Sequence, residues 1–219
     1  MTWNIQTARP NPDGAPDIHR VGECLAPLEA DVHAIQELDR GSRRSGGTDQ
    51  PAALADALDG TLAFAPTLQR GGGEYGIAVI ARGDILAVEV VPLSGRREPR
   101  ALLVVEADVG GRRWTIGCTH LSRHRDLARR QLLSAFDALA TRAGPRVLLG
   151  DLNLTTGEVL PWSTAEGYRL VDGAPTHSTR QPPVIHRIDH VLLSGATATA
   201  ATVHCFAMSD HCAVSADMT

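Results

Sequence analysis

Polar segments that each close an apolar, strand-like run carry the side chains most able to do chemistry. They are TWN with Asn4, IQEL with Gln36 and Glu37, CTHL with His120, GDLN with Gly150, Asp151 and Asn153, and the closing pair RIDH with Asp189 and SDH with Ser209, Asp210 and His211. A strand end supports a side chain rigidly, so such residues can converge on one cleft. Taken singly, each is more typical of a capping or hydrogen-bonded structural residue.

Taken together, these residues suit the hydrolysis of a phosphoester. The charged oxygens of a phosphoester repel a nucleophile, so catalysis needs a cation, an activated water and donors that face the developing charge. The oxygen ligands Asn4, Glu37 and Asp210 favour Mg²⁺ or Mn²⁺. Asp151 is predicted to align and deprotonate the water. Asn153, expected on the same strand face two residues on, is predicted to donate to the phosphate.

Two histidines complete this predicted catalytic set. His120 and His211 can donate to phosphate oxygens or to the leaving group. Asp189 can hold one imidazole ring in the required tautomer and raise its basicity. The predicted site is therefore a hydrolytic centre with separate metal-binding, water-activating and proton-donating groups.

The elements that position these residues alternate between two periodicities. Short apolar runs with β-branched residues predict strands at VHAIQEL, YGIAVIAR, DILAVEVVPL, ALLVVEADV, RWTIGCTHL, RVLLGDL, RIDHVLL and CAVSADM. Three- and four-residue apolar spacing predicts helices over Asp17 to Glu29, Pro51 to Leu58 and Arg123 to Arg142. Gly110 and Gly111 predict an antiparallel hairpin, whereas the helices imply crossovers. This mixture predicts two mixed sheets packed together with helices outside.

Length and composition indicate an ordinary globular protein with a sizeable core. The 219 residues are 43% hydrophobic and 21% charged, with no stretch typical of a linker, so a single domain over residues 1–219 is expected. The sequence has no apolar run long enough to span a bilayer and no leader-like start, which predicts a cytoplasmic protein. Four cysteines lack CxxC spacing and have apolar neighbours, which predicts reduced, buried thiols: Cys24, Cys118, Cys205 and Cys212.

The charge balance disfavours a protein whose main ligand is a polyanion such as nucleic acid. The formal net charge is -4 and the pI is about 6.1, so no global positive field attracts nucleic acid. A basic cluster on a predicted helix, in which Arg125 and Arg129 are four residues apart, is more typical of a solvated helix face than of a binding surface: Arg123, Arg125, Arg129 and Arg130.

The ordered series TWN, QE, YGIAVI, THL, GDLN, RIDH and SDHCAV resembles the endonuclease/exonuclease/phosphatase superfamily, the group related to deoxyribonuclease I. The resemblance extends from Asn4 to Val214, nearly the whole chain. It implies a four-layer α/β/β/α sandwich in which two mixed β-sheets pack face to face with helices outside. It also implies a divalent metal and attack of water on phosphorus.

The resemblance further implies roles for the metal-site residues. Glu37 matches the main metal ligand and Asn4 its companion, while Asp210 matches a residue assigned to metal or water. The chain has only three residues before Asn4, which predicts a short first strand and a mobile Asn4.

The same resemblance implies the catalytic roles. Asp151 and Asn153 match the residues that orient water and phosphate, and His211 matches the essential histidine with Asp189 as its orienting carboxylate. His120 in the THL motif is similar to members related to deoxyribonuclease I and the sphingomyelinases, whereas abasic-site endonucleases have Tyr there.

Several remaining residues differ in what they suggest. Thr176 resembles a recurring PT loop, although His177 replaces the aromatic residue often found after it. His190, beside Asp189, is expected to line the cleft. Five other histidines match no family role and are expected at the surface or in packing: His19, His33, His124, His186 and His204.

Three functional hypotheses follow. The leading one is a monomeric phosphodiesterase or phosphomonoesterase acting on a small or lipid-linked phosphate ester. The second is a nuclease, which requires a local basic groove built from Arg96, Arg97, Arg100, Arg123 and Arg125. The third is a catalytically inactive binding protein that keeps the fold, although the complete set of catalytic residue types disfavours it.

Overall fold

The computed structural model describes residues 1–10, 14–95, 98–177 and 185–219, and twelve strands in these residues form two six-stranded sheets. In chain order the strands are β1 (Thr2–Asn4), β2 (Val32–Arg40), β3 (Thr61–Arg70), β4 (Gly73–Ala81), β5 (Asp84–Leu93), β6 (Arg100–Val109), β7 (Arg112–His120), β8 (Arg146–Asp151), β9 (Arg169–Leu170), β10 (Asp189–Ser194), β11 (Thr202–His204) and β12 (Ala213–Ser215). The first sheet has the order β11-β12-β1-β2-β4-β3, and the second has the order β5-β6-β7-β8-β10-β9.

Four α-helices in the described residues accompany the sheets: α1 (Ile18–Leu25), α2 (Gln50–Ala57), α3 (Arg125–Ala140) and α4 (Thr156–Ala165). The first three confirm the helices predicted from apolar spacing. Helix α4 was not predicted, because Pro161 interrupts it and its apolar residues form no clear stripe. The sequence does mark the N-terminus of this helix, since Thr155 and Glu158 form a reciprocal capping box.

Three apolar layers hold the four structural layers together, which confirms the predicted sandwich of two mixed sheets with helices outside. Trp3 and Leu54 belong to the layer between the first sheet and helices α1 and α2. Val105 and Leu149 lie in the layer between the two sheets. Phe136 on α3 is buried against the second sheet. Burial of each such large side chain contributes about 1.5–3 kcal/mol.

Strand pairing brings the polar strand ends to one end of the sandwich. β1 runs parallel to β2 and antiparallel to β12, while β7 runs parallel to β8 and β8 antiparallel to β10. The carboxyl ends of β1, β2, β7 and β8 therefore meet the amino ends of β10 and β12. Gly110 and Gly111 join β6 to β7 as an antiparallel hairpin, as predicted.

Each of the eight predicted strand runs contains a strand, whereas β3, β9 and β11 are strands that the sequence did not predict and that lack a clear period-two pattern. β3 carries Pro66 next to a register shift, a combination tolerated on the edge strand where it lies. β9 and β11 have only two and three residues. In the described part of the chain, no helix combines the length and apolar character needed to cross a membrane.

The prediction of four reduced thiols is wrong for two cysteines. Cys205 and Cys212 form a disulfide. They lie just beyond the register pair His204 and Ala213 of β11 and β12, so antiparallel pairing brings residues seven positions apart in sequence to a Cα–Cα distance of 4.3 Å. Cys118 is a buried free thiol as predicted, and Cys24 is free and partly buried.

Candidate active site

Neighbouring strands carry three of the predicted site residues to the same level. Asp151 at the end of β8 is in register with His120 on β7 and with Asp189 on β10. Gly150 permits this close approach, because it has φ +150° and an added Cβ would lie 1.9 Å from the Thr119 carbonyl oxygen. The glycine of the GDLN motif therefore serves the packing of β8 against β7.

Asp151 is the centre of the site. Its carboxylate accepts hydrogen bonds from the Asn4 side-chain amide at 3.0 Å and from the Asn153 backbone N–H at 3.0 Å. His120 Nε2 lies 3.3 Å from Asp151 Oδ2, and His211 Nε2 lies 3.7 Å from the same oxygen. Burial raises the pKa of the Asp151 carboxyl to about 6, against the opposing effect of positively charged His211. A group with this pKa can exchange a proton near neutral pH.

His211 is held by a buried chain of side chains. Its Nδ1 lies 2.9 Å from Asp189 Oδ2, and the Thr176 hydroxyl donates to the same carboxylate oxygen at 2.6 Å. Burial alone would lower the pKa of His211, but the carboxylates of Asp189 and Asp151 raise it to about 10. The imidazole is therefore protonated at neutral pH, with Nε2 directed toward Asp151.

The first strand anchors the segment that carries His211. Buried Trp3 donates from its indole N–H to the His211 carbonyl oxygen at 2.9 Å. The Ser209 hydroxyl donates to the Asn4 carbonyl oxygen at 2.7 Å and accepts from the His211 N–H at 3.0 Å. Asn4 itself is 2% exposed. The expectation of a mobile Asn4 is not supported, because short β1 lies in the middle of its sheet and is bonded on both sides.

His120 has the opposite charge state to His211. Burial lowers the pKa of His120 well below its ordinary value, and the nearby positive charges of Arg100 and His211 lower it further. One carboxylate, Asp151, therefore lies between a neutral imidazole and a charged one. Both rings place Nε2 near the same Asp151 oxygen.

Glu37 has the features of a functional carboxylate. It lies at a register shift between β2 and β4 and has φ +63°, a left-handed conformation that is strained for a non-glycine residue. Its Oε1 accepts from the Asn4 amide at 3.1 Å, and no Lys or Arg of the described residues forms an ion pair with it. A carboxylate without a cationic partner fits a hard divalent cation.

The structure joins only part of the predicted metal site by direct contact. The Asn4 amide nitrogen faces Glu37 and Asp151, while its oxygen accepts from the Gln6 N–H, so the amide must turn to offer its oxygen to a metal. Asp210 contacts His177, with 3.6 Å between His177 Nε2 and Asp210 Oδ2. Its neighbour Ser209 donates to the Asn4 carbonyl oxygen and so links Asp210 to the first strand.

The electrostatics of Asp210 follow from the two histidines beside it. Burial alone would raise the pKa of Asp210, but His177 and positively charged His211 lower it below its ordinary value. Two groups of potential ligand atoms, each mutually within 4.8 Å, occur around His211: Asp151 with Asp189 and His211, and His177 with Asp210 and His211.

Asn153 does not lie on the strand face on which it was predicted. β8 ends at Asp151, and Asn153 follows in a left-handed conformation with φ +50°. Its side-chain amide donates to the Leu121 carbonyl oxygen at 3.0 Å. The residue thus joins the chain leaving β8 to the chain leaving β7, with its N–H on Asp151.

Three residues near Asp189 correct the sequence interpretation. Thr176 is buried and bonded to Asp189, and His177 packs on His211, so the loosely matched PT loop belongs to the site. His190 does not line the cleft, because it is fully buried and its Nε2 bonds to the Leu154 carbonyl oxygen. The alternation of side chains along β10 directs His190 away from the face occupied by Asp189.

A four-layer sandwich with a histidine–carboxylate cluster at one end of its two sheets defines a known structural class. A model of the endonuclease/exonuclease/phosphatase family matches residues 1–211. The chain belongs to this family. No curated protein sequence matches it.

Solved structures of similar proteins agree with this assignment. The chain is 28% identical to an endonuclease/exonuclease/phosphatase from Beutenbergia cavernae, with a TM-score of 0.84 over 99% of this chain and 70% of that one. A humanized D. rerio TDP2 shares the fold with a TM-score of 0.78 at 17% identity, over 100% of this chain and 97% of that one. A functionally unknown conserved protein from Enterococcus faecalis has a TM-score of 0.78 at 14% identity, over 100% of this chain and 98% of that one.

Proposed function

We propose that this protein is a divalent-cation-dependent phosphoesterase that hydrolyses a phosphodiester or phosphomonoester by attack of water on phosphorus. The observation that carries the proposal is the arrangement around Asp151, a buried carboxylate flanked by neutral His120 and charged His211. Membership of a family named for nucleases and phosphatases supports the same reaction class.

The residues near Glu37 fit a hard cation. Glu37 would provide the main oxygen ligand, with Asn4 as a second ligand after its amide turns. A bound Mg²⁺ or Mn²⁺ would neutralise phosphate charge and increase the acidity of water. Asp210 would act from the His211 side, either on the cation through water or on the attacking water itself.

The chain's own groups suit the proton transfers of hydrolysis. Asp151 accepts two hydrogen bonds that fix its direction, and its pKa of about 6 allows it to take a proton from water near neutral pH. His211 remains protonated because Asp189 supports it, so Nε2 can donate to a phosphate oxygen or to the leaving group. His120 can donate from a neutral ring to a second oxygen.

A small or lipid-linked ester fits the charge distribution better than a nucleic acid. Of the arginines required for a basic groove, Arg100 is buried and paired with Glu98 at 3.0 Å, and Arg125 lies 3.5 Å from Glu158. Arg96 and Arg97 lie outside the described residues. The net charge of -4 also opposes the phosphate neutralisation on which nucleic-acid affinity depends.

Parallel assays on one preparation test the proposal. We expect Mg²⁺- or Mn²⁺-dependent hydrolysis of bis-p-nitrophenyl phosphate, p-nitrophenyl phosphate or a phospholipid ester, and little cutting of plasmid or single-stranded DNA. Asp151→Asn should lower kcat by about 10²–10⁴-fold, the usual cost of removing a general base. Asp137→Asn, which changes an exposed carboxylate on α3, is the matched control and should keep full activity.

The outcomes separate the three hypotheses. Rapid metal-dependent DNA cutting with negligible hydrolysis of small esters would establish the nuclease instead. If no phosphoester is hydrolysed while the purified protein is folded, the binding-protein hypothesis replaces the enzymatic one. Equal activity of the Asp151→Asn and Asp137→Asn variants would contradict the assigned role of Asp151.

A further inference from the structure

His177 lies on a backbone segment that is joined to the His211 segment. Thr176 accepts a hydrogen bond from the Cys212 N–H at its carbonyl oxygen, with a distance of 2.6 Å, and His177 forms a bridge with His211. On its other side, His177 pairs with His186 through backbone hydrogen bonds in both directions. The backbone of His177 is therefore held from two sides, next to the proposed catalytic histidine.

The His177 side chain contacts both members of the Asp210–His211 pair. The ring centroids of His177 and His211 are 4.4 Å apart with an interplanar angle of 51°. His177 Nε2 lies 3.6 Å from Asp210 Oδ2. His177 is 8% exposed, so water has little access to this contact. One ring thus limits the motion of an imidazole through packing and of a carboxylate through electrostatic attraction.

Among the described residues, His177 is the side chain that contacts the Asp210 carboxylate. Asp189 and Asp151 are fixed by hydrogen bonds from Thr176, Asn4 and Asn153, whereas the half-buried Asp210 carboxylate has His177 Nε2 at 3.6 Å. A carboxylate that acts on a cation or on a water must be held within a fraction of an ångström of its working position. Partners of this kind typically change metal affinity or activity by 10–100-fold.

We infer that His177 is a positioning residue, which holds the Asp210 carboxylate through Nε2 and the His211 ring through packing, so that both face the reacting phosphoester. The inference deepens the proposed function and rests on it for the kinetic measurements. If His177 only filled space, loss of its ring would affect the site and loss of its ring nitrogen would not.

Two substitutions separate the two contacts. His177→Phe keeps a ring against His211 and removes the nitrogen that faces Asp210. His177→Gln keeps a polar N–H group at a similar reach and removes the ring. His186→Gln is the matched control, because His186 pairs with His177 through the backbone but carries an exposed side chain.

We expect His177→Phe to weaken Mn²⁺ binding, measured by isothermal titration calorimetry, by about tenfold or more, with a similar fall in kcat and little change in KM. His177→Gln should retain Mn²⁺ affinity within about threefold while its kcat still falls, because the packing on His211 is lost. His186→Gln should match the unmodified protein in both measurements. Circular dichroism checks that each variant is folded.

The inference is overturned if folded His177→Phe binds Mn²⁺ and turns over substrate as His186→Gln does. It is also overturned if His177→Gln loses as much Mn²⁺ affinity as His177→Phe, since the nitrogen would then have no separate effect. The calorimetry does not depend on turnover. If the unmodified protein hydrolyses nothing, the proposed function fails, and Mn²⁺ binding by the variants still decides the role of His177.

Discussion

The substitution Asp189→Asn tests the buried hydrogen bonds that join Thr176, Asp189 and His211, without a large change in side-chain volume. Two donors, the Thr176 hydroxyl at 2.6 Å and His211 Nδ1 at 2.9 Å, converge on Asp189 Oδ2. His211 Nδ1 also lies 3.1 Å from Oδ1, so an amide that keeps its oxygen at the Oδ2 position directs its NH₂ group at the Nδ1 donor, whereas a carboxylate accepts at both oxygens. The variant therefore loses the negative charge and forces one of its partners to reorient.

The expected loss in the free energy of unfolding follows from the pKa of His211, which is raised from 6.5 to about 10, mainly by Asp189 and then by Asp151. Such a shift corresponds to roughly 5 kcal/mol of preference for the charged ring in the folded protein. Because the folded pKa exceeds the unfolded one, this stability is complete below the unfolded pKa of 6.5 and is lost as the pH rises through 10. Asp189→Asn should thus cost about 2–3 kcal/mol near pH 6, and less toward pH 10.

Urea unfolding of both proteins in EDTA, at several values between about pH 6 and 10, measures this difference. In a Mg²⁺ assay the variant should also lose about 10²–10⁴ in kcat, because His211 loses the group that holds its protonated form. If Asp189→Asn unfolds at the same urea concentration as the unmodified protein throughout this range, the assigned charge state of His211 is wrong. A variant with undiminished kcat would remove Asp189 from the mechanism.

Three further predictions concern residues away from Thr176, Asp189 and His211. His33 is buried without a hydrogen-bond partner for either ring nitrogen among the described residues, and burial, the amino terminus and Arg82 lower its pKa from 6.5 to about 3. The neutral His33 ring contributes fully to stability above the unfolded pKa, and this contribution is lost as the pH falls, so the free energy of unfolding should drop by roughly 2 kcal/mol between about pH 6.5 and 5. Urea unfolding of His33→Leu should show a smaller drop over this range. An equal drop in the variant would contradict the prediction. Thiol titration of the unfolded, unreduced protein should find two free thiols, Cys24 and Cys118, and four would refute the disulfide. Loss of the Cys205–Cys212 bond through paired serine substitutions should cost about 2.5 kcal/mol in urea unfolding.

The layers of the fold and most of its elements could be predicted because the sequence signals are local. Alternating β-branched runs mark β4 to β8, and the Gly110–Gly111 pair marks the hairpin between β6 and β7. Helix α4 shows the limit of this approach. Its capping box is a local signal, but Pro161 and the absence of an apolar stripe conceal the helix that follows.

The candidate site was predictable in membership but not in geometry. The motif order predicted Glu37, Asp151, Asp189 and His211, which lie within or beside strands β2, β8, β10 and β12. The left-handed conformation of Asn153 was not visible, because its hydrogen bonds go to Leu121 and Asp151, which depend on the pairing of β7 with β8.

Two features that the sequence did not predict, the contact of His177 with His211 and the Cys205–Cys212 disulfide, depend on tertiary contacts. His177 is brought to His211 by a backbone bridge across more than thirty positions. The Cys205–Cys212 bond depends on the register of β11 and β12, and both strands have only three residues. Neither feature has a fixed spacing that a sequence pattern could contain.

Hydrolysis of bis-p-nitrophenyl phosphate in ¹⁸O-labelled water tests the central claim most directly. With Mg²⁺ or Mn²⁺ present, attack of water on phosphorus predicts one ¹⁸O atom in the p-nitrophenyl phosphate product, none in the p-nitrophenol, and no reaction in EDTA. Mass spectrometry of the two products reads out both positions. Label in the p-nitrophenol, or turnover that persists at the same rate in EDTA, would contradict a metal-dependent phosphoesterase built around Asp151 and His211.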